Sequence, residues 1–199
     1  TIRDGGRIEV HGYVEGNLTA ETLHVYPGGR FAGQLRANNA EIQGVLQGDA
    51  VIKQLISISS TGQVEGNIRY GRIALEAGGE LSAELRNILP ELAGDLELVV
   101  SRGRSVVVTV MDLLAVDPGD RAEALTFSVT NPVNGWLALD GNVRQPVTRF
   151  TQADIDAGRV SFVHDGSDGT IASFDVSVAD DDGATSGAAQ TVRVAVLPK

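Results

Sequence analysis

The sequence predicts an all-β protein built in two parts, a β-helical coil followed by a β-sandwich. Three observations carry that prediction. A short glycine-centred phrase recurs through residues 12–85 with a period near 17. After Gly94 the period stops, and longer alternating strands separated by turn clusters take over. The composition, with 24 glycines, only 6 prolines and many β-branched residues, suits short strands and turns rather than long helices.

The phrase reads Val14-Glu15-Gly16-Asn17-Leu18, Phe31-Ala32-Gly33-Gln34-Leu35, Leu46-Gln47-Gly48-Asp49-Ala50, Val64-Glu65-Gly66-Asn67-Ile68 and Leu81-Ser82-Ala83-Glu84-Leu85. Its starts lie 17, 15, 18 and 17 residues apart, enough for one coil of a solenoid and too few for two helices. Between the phrases stand Leu23 with Val25, Ala40 with Ile42, Ile56 with Ile58, and Ile73 with Leu75. Each period therefore predicts two short strands whose apolar residues, two apart, point inward and stack rung on rung. A glycine between inward residues marks a turn where a side chain would clash or φ is positive. Gly28-Gly29, Gly62 and Gly78-Gly79 mark a second corner. Outward positions hold Glu15, Asn17, Arg36, Gln47, Glu65, Asn67 and Glu84, as a solvated wall requires. Five or six rungs follow; a flat sandwich would give no reason for the period.

The ends of such a coil expose unpaired strand edges and an apolar cross-section, so each is capped or recruits another copy. Ile8 and Val10 are the candidate open rung at the amino end. Leu85, Ile88 and Leu89 are the candidates at the other, just before Pro90, which ends strand pairing. For each residue singly, the alternative is ordinary core.

The phrases Gly12-Tyr13-Val14-Glu15-Gly16-Asn17-Leu18, Ile42-Gln43-Gly44-Val45-Leu46-Gln47-Gly48 and Ser60-Thr61-Gly62-Gln63-Val64-Glu65-Gly66-Asn67-Ile68 resemble bactofilin, the polymer-forming bacterial cytoskeletal domain. The resemblance covers about residues 5–90. It implies a right-handed β-helix that associates end to end into nucleotide-free filaments and serves as a scaffold for cell-shape or envelope proteins. The coil domain is placed at 1–92 and the second domain at 93–199.

In the second domain, strands are expected at 96–100, 105–110, 125–129, 159–164, 173–179 and 191–197. Turn clusters at Asn134-Gly135, Asp140-Gly141, 165–169 and 180–183 join them into an antiparallel sandwich. Thr151 and Asp154 have capping-box spacing, and Gly158 stands where a left-handed residue would close the short helix. The run from Phe150 to Ser167, centred on Asp154-Ile155-Asp156-Ala157-Gly158, is similar to the central signature of the cadherin-like repeats of chondroitin-sulfate-proteoglycan type. Ala115-Val116-Asp117-Pro118-Gly119-Asp120 is similar to that repeat's opening, and Phe174 to Gly183 to its close. This resemblance implies an immunoglobulin-like sandwich used for adhesion or spacing, often with calcium.

Asp117, Asp120, Asp180, Asp181 and Asp182 are hard oxygen donors in two loops that a sandwich could bring to one end. They are the candidate Ca2+ site, with a merely solvated acidic turn as the alternative. No other cofactor is called for. His164, Asp165 and Ser167 are too close in sequence for a nucleophile, base and orienter, and no Gly-x-Ser-x-Gly elbow is present, so His164 is read as packed or hydrogen-bonded at a strand end. His11 and His24 sit apart on the repeat and form no metal pair. Asn17-Leu18-Thr19 matches a glycosylation sequon on a packed coil. Trp136 is read as sandwich core.

A net charge of −10 with no basic stripe in either half argues against nucleic acid and against an anionic membrane surface. The absence of cysteine excludes disulfides, thiolate metal sites and a cysteine nucleophile. No apolar run reaches the roughly 20 residues of a bilayer span. Starting at Thr1, the sequence reads as a trimmed or processed product. The expected function is a non-enzymatic structural protein whose coil polymerises with itself while the sandwich decorates or tethers the assembly, in contact with envelope or surface proteins or glycans. The alternative is a surface adhesion or ligand-binding module with the coil as spacer. A carbohydrate-active β-helix enzyme is disfavoured because Glu15, Glu65 and Glu84 are not on every rung. The two halves point to different compartments, with the envelope or exterior favoured over a membrane-associated cytoskeleton because a cadherin-like sandwich is hard to explain in the cytoplasm.

Overall fold

A computed structural model of the chain describes residues 2–3 and 6–198. They fall into two compact units, Thr1–Ile88 and Leu89–Lys199.

The first unit is one parallel sheet wound as a coil of about five turns. β1 (Ile2–Arg3) and β2 (Arg7–Val10) pair with opposite halves of β3 (Tyr13–Val25). β4 (Arg30–Ile42), β5 (Val45–Ile58), β6 (Gln63–Leu75) and β7 (Glu80–Asn87) follow, each parallel to its predecessor. The two short strands expected per rung are fused: each of the four full rungs is one bent strand of 13 or 14 residues. Register shifts at Ala37/Asn39 and Ile52/Leu55 absorb the unequal repeat spacing.

The bend falls at the glycine phrase. Gly16, Gly33, Gly48 and Gly66 stand in register, with φ between 119° and 132°, a conformation that L side chains rarely adopt. Past that column along each strand, apolar residues stack in register. Leu18, Leu35, Ala50 and Ile68 make one buried row, and Val25, Ile42 and Ile58 another. Each large side chain so buried contributes roughly 1.5–3 kcal/mol, which is why the repeat fixes the fold of this unit.

The second unit contains β8 (Glu91–Ala93), β9 (Glu97–Ser101), β10 (Ser105–Val107), β11 (Leu114–Val116), β12 (Thr126–Val133), β13 (Gly135–Leu139), β14 (Arg149–Thr151), α1 (Gln152–Asp156), β15 (Val160–His164), β16 (Ile171–Ala179) and β17 (Gln190–Leu197). One sheet runs β14-β12-β16-β17-β9 and another β10-β15-β13, with β8 and β11 as a separate pair. Phe127, Phe162, Phe174, Val160, Val176 and Val194 are fully buried, and the Phe162 and Phe174 rings, one from each sheet, stack at 5.8 Å. These sheets are consistent with the expected sandwich.

Three details differ from the sequence reading. The short strands β8, β11, β13 and β14 carry too few alternating residues to stand out from loop. The sandwich is not wholly antiparallel: β9 runs parallel to β17, as two strands far apart in sequence can because no hairpin links them. Trp136 is half-buried outside the core and donates its Nε1 hydrogen to the Val143 carbonyl at 2.9 Å, because Leu137 takes the inward position beside it. The capping box at Thr151 and Asp154 forms in both directions, and Gly158 closes the turn at φ +66°.

Candidate functional site

At the carboxyl end of the coil the buried rows run out. Leu85 follows Ile68 in register but is 40% exposed, because among the described residues no strand pairs with the far edge of β7. Leu75 follows Ile58 and is 50% exposed, since β7 covers only the first half of β6, up to Tyr70. Ile73 and Leu81 are partly buried against the core. Ile88 is half-buried and its N–H donates to the Tyr70 carbonyl at 2.7 Å, while Leu89 is exposed and is the first residue of the second unit. Sequence reasoning missed Leu75; the signal was that the strand pair Ile73 and Leu75 has no successor one period later.

At the amino end, Val10 pairs with Val25 and is 2% exposed, whereas Ile8 is partly buried. On the outer wall nearby, the coil brings His11 and His24 to opposite faces of Tyr26, with ring centroids 4.2 and 3.9 Å away. His24 Nδ1 lies 3.0 Å from Arg7 Nη2 and 3.1 Å from Glu41 Oε2. The two histidines are thus one ring apart, a neighbourhood that sequence separation conceals.

In the second unit, Asp117 follows β11, Asp120 lies three residues on, and Asp180 follows β16. One carboxylate oxygen from each lies within 4.8 Å of the others. Asp117 is buried; its Oδ1 accepts from the Gly119 N–H at 2.7 Å, while its Oδ2 is buried without a partner. Asp180 Oδ1 accepts from the Ala184 N–H at 2.7 Å. Asp181 and Asp182 are exposed, outside the three-residue group. No basic side chain forms an ion pair with the three among the described residues. At that separation two carboxylates repel by roughly 3 kcal/mol at an effective dielectric near 20. Burial first, then the charges of Asp181 and Asp117, push Asp120 up to about 6, and burial likewise raises Asp117. An orphaned buried oxygen and uncompensated negative charge are what a hard divalent cation would satisfy.

His164 is wholly buried, and its Nδ1 accepts from the Gly166 N–H at 2.9 Å and the Gly103 N–H at 3.2 Å. The ring therefore carries its hydrogen on Nε2 and holds two loops. That is the work of a fastener and leaves no free base for Ser167.

A parallel β-solenoid that ends in exposed leucines, followed by a sandwich with an aspartate cluster, defines a class of structural proteins. The family model described as "Polymer-forming cytoskeletal", bactofilin, matches residues 1–86, and that described as "Cadherin-like" matches residues 90–196. The chain belongs to the cadherin-like family through its second half, and its first half is similar to the bactofilins. Among curated proteins it is similar to chondroitin sulfate proteoglycan 4 of Mus musculus, 38% identical over 110 residues that make up 55% of this chain and 5% of that protein. The Homo sapiens counterpart is 36% identical over the same length and shares. FRAS1-related extracellular matrix protein 2 of Homo sapiens is 32% identical over 85 residues, 42% of this chain and 3% of that protein. The chain thus spans about 5% of the length of the proteoglycans it matches.

Proposed function

We propose that this chain is a non-enzymatic structural protein that polymerises end to end through its coil and displays the sandwich along the polymer as decoration or tether. The observation that carries this reading is the unfinished last rung, where Leu75 and Leu85 continue buried rows into solvent in a segment that matches a polymer-forming family. A second copy stacking there would extend every row and pair the open edge of β7. The surface acids add solubility rather than a catalytic pair, and envelope or surface proteins or glycans are the partners such a tether would reach.

Calcium belongs to the same proposal. Asp117, Asp120 and Asp180 would hold it, with Asp181 close enough to contribute charge; the cation supplies compensation for carboxylates that otherwise repel. Its role would be to stiffen the loop end of the sandwich.

Electron microscopy and sedimentation of the purified chain test the assembly: filaments are expected, and Leu85→Asp removes them. A monomer at all salt and protein concentrations would refute it. The second reading, an extracellular adhesion module with the coil as spacer, draws on the extracellular matrix names of the sandwich's relatives. Binding to a glycan or partner domain without polymer would favour that reading.

A further inference from the structure

We infer that the outer edge of β9 is a self-complementary seam through which two copies of this chain join antiparallel, sandwich to sandwich. The bonds from Arg193 N–H to the Leu96 carbonyl and from Arg102 N–H to the Leu197 carbonyl show that the even-numbered residues of β9 face β17. The peptide groups of Glu97, Val99 and Ser101 therefore turn to the open edge. There the Glu97 N–H is taken by Asp95 Oδ1 and the Ser101 carbonyl by the Arg104 N–H. The Glu97 carbonyl, the Ser101 N–H and both groups of Val99 have no backbone or side-chain partner among the described residues.

Those four groups are the set that an antiparallel copy centred on Val99 would satisfy. Val99 would exchange two hydrogen bonds with its own counterpart, and each Ser101 N–H would donate to the opposite Glu97 carbonyl. The flanking charges select the same arrangement. Asp95 and Glu97 precede the centre, and Arg104 follows it together with Arg102, whose guanidinium also pairs with Asp168 at 2.8 Å, so an antiparallel copy sets acidic flank against basic flank, whereas a parallel copy sets like against like. β9 has no lysine, proline or bulge to block edge pairing, and its one charge, Glu97, stands off the centre. At the centre of the strand's outward face, between Glu97 and Ser101, an apolar row crosses the sheet: Val99, 56% exposed, lies beside Ala195, which lies beside Ile171, 66% exposed. The sheet would continue across the seam, with this apolar row extended by the second copy's Val99. In a coil polymer this contact would cross-bridge neighbouring filaments through their sandwiches.

Because the chain has no cysteine, single-cysteine variants read the register directly. They are made in the Leu85→Asp background, so that the result stands whether or not the coil polymerises. Opposite residues of a hydrogen-bonded pair have Cα atoms about 5.5 Å apart, within disulfide reach. Under mild oxidation Val99→Cys is expected to give disulfide-linked dimer as the major species. Ser101→Cys alone gives little, and Ser101→Cys mixed with Glu97→Cys gives the heterodimer. In sedimentation, Val99→Lys is expected to lose the dimer while Leu75→Lys keeps it, with unchanged melting curves showing both folded. The seam is overturned if Val99→Cys cross-links no better than the exposed Met111→Cys, or if Ser101→Cys alone cross-links as readily as Val99→Cys.

Discussion

A β-carbon placed on Gly48 would lie 2.1 Å from the carbonyl oxygen of Gly33, the residue in register with it on the preceding rung. The same approach recurs at Gly33 over Gly16 and at Gly66 over Gly48. With the positive φ these three rungs share, stacking at strand spacing leaves no room for a side chain at Gly33, Gly48 or Gly66; Ala83, in register over Gly66 on the last rung, is not in that left-handed conformation.

Gly48→Ala is accordingly expected to cost about 3 kcal/mol or more, combining a backbone clash with a left-handed conformation that alanine resists. Gly16→Ala has open space around its β-carbon and meets only the conformational strain, so it should cost less, about 1–3 kcal/mol. Thermal denaturation of both variants checks the order.

The two ends of the coil should respond differently to charge. Leu85 is solvent-exposed, so Leu85→Asp is expected to leave the coil folded and to abolish filaments. Val10 is buried, so Val10→Asp should lose several kcal/mol of stability as well as assembly, because a carboxylate there has no partner. Circular dichroism separates the two effects. Filaments formed by Leu85→Asp would remove the end-face argument.

The aspartate cluster sets a pH dependence. Asp120 is raised from its ordinary 3.8 to about 6, so the folded state holds its proton more tightly than the unfolded one. The resulting stability is full below about pH 4 and is lost as pH rises through about 6. Asp154, Asp165 and Asp175 are shifted downward, and their contributions fail only in more acid solution. Between about pH 5 and 7.5, metal-free sandwich should therefore melt lower at the higher pH, and Asp120→Asn should flatten that slope. Saturating calcium at pH 7.5 should raise the melting temperature by about 5 °C or more, and Asp117→Asn should remove most of the gain.

His164 should behave as a structural residue. Replacing it with alanine strands the Gly103 and Gly166 N–H groups and opens a cavity, for an expected loss of about 3 kcal/mol. Ser167→Ala, beside it, should change stability by less than about 0.5 kcal/mol. Urea denaturation of the two variants distinguishes this fastening role from a catalytic set, in which both would matter to activity rather than to folding.

The sequence by itself determined the all-β architecture and the rung period of the coil. It also marked the change of grammar between residues 88 and 95, and the loops that hold the aspartates. Those features are local or periodic: a glycine every rung, apolar residues two apart, turn residues at fixed offsets. What only the tertiary structure decided depends on which rung or loop lies beside which. Leu75 and Leu85 look like Ile58 and Ile68 in sequence, and only the missing next strand exposes them. Asp181 and Asp182 look like Asp180, and only the turn after β16 leaves them outside the group formed with Asp117 and Asp120. His11, Tyr26 and His24 meet because one coil returns the chain over itself. The free edge of β9 exists because the last strand pairs with its other side. Hydrogen-bond parity and register are properties of neighbouring strands, and a single strand's residues do not encode which of its two edges will be covered.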